Sequence, residues 1–137
     1  MEAHFNLSDA EFEQQFAAAI LDPNVFSHEA HLRLAWIHIR KYGIEKALLN
    51  VRSQIKAYTV KLGAIDKYNE TVTIAAMRAV YHFMLHSTAS TFTDFIDSNP
   101  RLKNNFKALM DAHYSNDIFK SARAKETYLE PDRLPFD

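Results

Sequence analysis

The sequence predicts an all-α fold, a compact helical bundle of four main helices plus two or three short C-terminal helices. Three observations carry this reading. Apolar residues recur at spacings of three and four along four separate stretches, the period of a helix with one buried face. Capping residues or glycines mark the ends of most of those stretches. Glycine and proline are scarce, at 2 and 4 in 137 residues, which disfavours a turn-rich β architecture. Residues 1–137 read as a single helical domain, with an extended tail over 130–137.

Ser8 with Glu11 three residues on has the form of a capping box. The stretch SDAEFEQQFAAAIL then puts Phe12, Phe16, Ala19 and Ile20 on one helical face and stops near Leu21, ahead of Pro23. Phe26 precedes the next cap as a staple residue, and Ser27 caps HEAHLRLAWIHIRKY. Leu32, Ala35, Trp36 and Ile39 form the apolar stripe of that second helix, and Gly43 ends it. A third helix follows almost at once over IEKALLNVRSQIKAYTVKL, ended by Gly63; so short a connection makes the two antiparallel neighbours. After the loop AIDKYN, the fourth helix runs ETVTIAAMRAVYHFMLHS. Short helices are expected over STASTFTDFIDS, RLKNNFKALMDAHYS and DIFKSARAKETYL.

Composition narrows the function. Sixteen basic and 17 acidic residues are well mixed, for a net charge of -1. No basic footprint for nucleic acid and no polybasic membrane anchor is therefore expected. The absence of cysteine excludes disulfides, thiolate metal sites and cysteine nucleophiles. No apolar run approaches a membrane span and the N-terminus lacks a signal pattern, so the expected location is the cytoplasm. Glycine-rich phosphate loops, a G-x-S-x-G elbow and H-E-x-x-H are all missing from the sequence.

Polar residues gather in two stretches. An up-down-up path would place the starts of the second and fourth helices at one end of the bundle. His28, Glu29 and His31 stand at one start, and Tyr68, Asn69, Glu70, Thr71 and Thr73 at the other. Residues i and i+3 share a helical face. Two imidazoles there with a carboxylate from the other helix, His28, His31 and Glu70, have the donor types of a divalent metal site with open positions. Two helix N-termini also carry partial positive charge, which favours a small anionic ligand such as a carboxylate or phosphate. His82 and His86 form a second pair with ligand spacing at the far end of the fourth helix, about 18 Å or more from Glu70 at 1.5 Å per residue. Arg33, Arg78 and Arg101 are candidate anion partners.

The segments FSHEAHLRLAW and YNETVT and the closing EPDRLP resemble a family of small uncharacterised bacterial all-helical proteins. Its members carry an H-x-x-H-L-R-x-A-W segment, a Y-H-x-T-x-T segment and a proline-rich tail. The resemblance covers most of the chain from Phe26 onward. It implies site positions rather than a reaction: His28, His31, Tyr68, Glu70, Thr71 and Thr73. This chain departs from the pattern at Asn69, where the family's segment has histidine. The sequence thus leads to a polar ligand or metal site at two helix starts, with His28 or His31 available for acid–base work. The alternative is a helical interaction module, a homodimer among them, without catalysis.

Overall fold

The computed structural model describes residues 1–136 of the chain. Eight α-helices and two short 3-10 turns account for its regular structure, and no strand occurs among the described residues. No helix is long and apolar enough to cross a membrane. The backbone falls into two compact units, Met1–Tyr68 and Asn69–Asp137.

The first unit contains a 3-10 turn over Ala3–Asn6, then α1 (Asp9–Ala17), α2 (His28–Tyr42), α3 (Ile44–Lys61) and a second 3-10 turn over Ile65–Lys67. α2 packs chiefly against α3, and α1 touches both. Every residue of α2 from Leu32 to Ile39 is buried, so α2 is the central element of this unit. Ser8 and Glu11 form the complete capping box, each side chain bonded to the other's backbone N–H. Ser27 caps α2 through Ala30 N. Gly43 takes φ 82° and serves both as the end of α2 and the start of α3, which is why no longer connection is needed.

α1 is shorter than its apolar pattern. It ends at Ala17, and Ile20 is largely exposed. The stop is a Schellman motif: Ile20 N–H donates to the Gln15 carbonyl and Ala19 N–H to that of Phe16. Ala19 sits at the left-handed position, φ 57°. α3 ends in the same motif, with Ala64 N–H on Thr59, Gly63 N–H on Val60, and Gly63 at φ 68°. Leu21 then turns inward, its carbonyl accepting from the Tyr58 hydroxyl at 2.9 Å.

The second unit holds α4 (Glu70–Leu85), α5 (Phe92–Ser98), α6 (Pro100–Asn104), α7 (Phe106–Asp111) and α8 (Ala122–Glu126). The stretch expected as one helix over RLKNNFKALMDAHYS is two. Asn105, at φ −131° and ψ 35°, breaks it, and Pro100 occupies the first turn of α6, where its missing N–H costs nothing. The tail is ordered without helix. Asp132 accepts from the Ser115 hydroxyl and from Ser115 N, Phe136 is buried, and its ring stacks on His113 with centroids 4.1 Å apart. Asp137, the last residue of the expected tail, lies outside the described residues.

The two matched helix stops give a clean comparison. Alanine in the left-handed region costs roughly 1 kcal/mol that glycine does not. Ala19→Gly should therefore stabilise the protein by about 0.5–1 kcal/mol in urea denaturation. A loss of stability would show that the Ala19 methyl contributes packing that outweighs its backbone strain.

Candidate functional site

The start of α2 is built from the backbone outward. Phe26, just before the cap, packs against Phe16 and Tyr58, with centroids 4.6 and 5.4 Å away. His31 occupies the staple position one turn in and stacks on Phe26 at 3.7 Å. Its Nδ1 lies 2.8 Å from the Ser27 carbonyl. A carbonyl only accepts, so Nδ1 carries the proton and Nε2 keeps a lone pair. Desolvation by packed neighbours lowers the imidazole's pKa to about 4, the Ser27 carbonyl raising it against that trend and His28 adding a small lowering. The opposite edge of the ring is open to solvent, and the residue as a whole is exposed. His28, one turn earlier, is exposed.

Glu29, between these histidines, points the other way and is buried. Its carboxylate meets the fully buried His4 at Nε2, 2.6 Å away. On the far side of that ring lies Arg33, one turn beyond Glu29. Its five N–H groups make five hydrogen bonds to four acceptor atoms. Nη1 reaches the His4 carbonyl at 2.6 Å and His4 Nδ1 at 3.3 Å, while Nη2 reaches the Leu7 carbonyl and Asp9 Oδ1, both at 2.9 Å. Nε donates to Asp9 Oδ1 at 3.2 Å. The guanidinium also lies over the rings of Phe12 and Phe5, at 5.1 and 5.7 Å. Nothing in the spacing of residues 1–7 announced His4. A signal did exist in the Glu29–Arg33 pair, at i and i+4 on a helix that is apolar on nearly every side.

Glu2, His4 and Glu29 bring one possible ligand atom each within 4.8 Å of one another. The donor set nevertheless does not suit a cation. Arg33 can only donate, so His4 Nδ1 is the acceptor and Nε2 carries the hydrogen given to Glu29. A metal at Nε2 would move that hydrogen to Nδ1, against the guanidinium. Metal-bound histidines instead give their second N–H to an acceptor. The cluster is a structural network, further closed by the Ser27 hydroxyl on Glu2.

The residues at the start of α4 are engaged in holding the second unit together. Asn69 caps the helix, its Oδ1 accepting from Val72 N, and its amide donates to the Ile118 carbonyl. Thr71 is buried, giving its hydrogen to Thr127 O and accepting from Leu129 N. Thr73 bonds back to the Asn69 carbonyl. Glu70 is half-buried in the first turn, where a carboxylate suits the helix dipole. Tyr68 belongs to the first unit, buried beneath the Lys56 ammonium. Among the arginines, Arg33 is bound as above, Arg78 bonds the Tyr128 hydroxyl, and Arg101 is exposed.

Compared with protein-family models, curated proteins and solved structures, the chain matches none.

Two outcomes test this geometry. Removing one partner of a buried pair costs about 3–5 kcal/mol. His4→Ala should lose that much in urea denaturation, and stability within 1 kcal/mol of the wild type would contradict the network. The second concerns pH. The folded His31 titrates below the unfolded value of 6.5, so across that window the unfolded chain binds the extra proton. Stability should fall as pH drops from 6.5 toward 4. His31→Gln should flatten the thermal-unfolding profile there, whereas parallel profiles would count against the shift.

Proposed function

We propose that the protein binds a divalent transition-metal ion together with a small anionic ligand at the start of α2, with His31 and His28 as the metal's protein ligands. The observation that carries this reading is the tether of His31 Nδ1 to the Ser27 carbonyl. It fixes the tautomer and aims Nε2 away from its own backbone, the arrangement that metal-bound histidines share. With a lowered pKa, His31 has no proton to shed at neutral pH, so a metal meets little competition there. Imidazole donors suit zinc, nickel, cobalt or copper. The helix N-terminus opposes a bare cation and favours an anion. A metal arriving with a carboxylate or phosphate group in its open positions answers both demands. The alternative of a helical interaction module has the exposed Leu49 and Val60 of α3 in its favour, but nothing identifies what would cover them.

The test is elemental analysis and Zn²⁺ titration of untagged protein beside a His28→Ala/His31→Ala variant. The expected result is one zinc equivalent more in the wild type than in the variant, with phosphate tightening that additional equivalent only in the wild type. Equal zinc binding by both proteins would overturn the proposal.

A further inference from the structure

His82 and His86 lie one turn apart at the C-terminal end of α4, entirely within the second unit, and the site at α2 does not use them. Their ring centroids are 4.9 Å apart, with planes inclined at 61°. Two histidines at i and i+4 on one helical face are a recurring zinc-chelating pair. Histidine at a helix C-terminus is often only a favourable partner for the dipole. Two further observations go beyond that reading. The rings have come together rather than spreading into solvent. His86 also lines an open cleft of about 430 Å³ whose other walls include Ser87, Thr88, Ser90, Asp94 and Ser98.

The chemistry of that cleft points to a cation. Its lining offers hydroxyls and one carboxylate, and neither lysine nor arginine is part of it. The last carbonyls of a 16-residue helix add partial negative charge at the same end. The field therefore has the opposite sign to that at the start of α2. Among the described residues, no third histidine or acidic group stands close enough to both imidazoles to complete a three-ligand cluster. The protein thus supplies two nitrogens and leaves the remaining positions to water or to oxygen atoms of a ligand in the cleft.

We infer that His82 and His86 chelate a late first-row divalent metal ion, zinc being the probe of choice, with its open positions facing the Asp94 cleft. The inference is independent of the α2 proposal. It is tested on the full untagged chain already carrying His28→Ala and His31→Ala, so that the first site cannot contribute. Isothermal titration with Zn²⁺ alone should show binding that weakens about tenfold or more when His86→Ala is added, a loss at least as large as that from disturbing a ligand's supporting contacts. Asp94→Asn should weaken it to a smaller degree. His86 is exposed, so its truncation leaves the core untouched, and far-UV circular dichroism verifies this. An unchanged zinc isotherm after His86→Ala, or no zinc binding by the parent variant, overturns the inference whatever the outcome at α2.

Discussion

The first unit depends on one buried cation. Arg33 sits on the central helix at 5% side-chain exposure, and a guanidinium cannot shed its charge there. The N-terminal segment exists in its observed form to satisfy it. The His4 and Leu7 carbonyls, the His4 ring and the Asp9 carboxylate take every N–H that Arg33 offers. Glu29 then balances the charge through His4, and Phe5 and Phe12 cover the guanidinium faces. Residues 1–9 are thereby fixed to α2 by directional bonds rather than by apolar area alone.

This network also decides what the start of α2 can do. It consumes Glu29, the one carboxylate of the H-E-A-H segment, and turns it inward. The two flanking histidines are left outside. One of them, His31, doubles as the staple that closes Phe26 over Phe16 and Tyr58. A side chain held for packing is at the same time held in a single tautomer, and its unused nitrogen becomes a defined lone pair. The His82–His86 pair is defined instead by its spacing, the mutual approach of its rings and the sign of the local field.

The roles at the start of α4 illustrate how chemically similar residues separate once packed. Thr71 and Thr73 are two positions apart in sequence and thus on different helical faces. One hydroxyl bridges to the segment after α8, and the other bonds back within its own turn. Asn69, the departure from the histidine of the resembling family, acts as a helix cap that also reaches Ile118. Two of the polar groups that gave Y-N-E-T-V-T its ligand-like appearance, Asn69 and Thr71, have partners 49 to 58 residues further along the chain.

The sequence by itself determined the helices: their apolar periodicity, the Ser8–Glu11 box, the Ser27 cap and the stops at Gly43 and Gly63 are local signals, complete within a turn or two. It also placed Phe26 as a staple and His31 at the start of the central helix. It overran α1 and the α6–α7 stretch, because the left-handed Ala19 and the break at Asn105 carry no distinctive residue pattern. Only the tertiary structure decided which polar groups were spent. The partners of Glu29 and Arg33 lie 24–29 residues away, and that of Thr71 lies 56. A hydrogen bond over such a separation leaves no periodicity to read, since it is set by where two helices come to rest and not by the spacing within either.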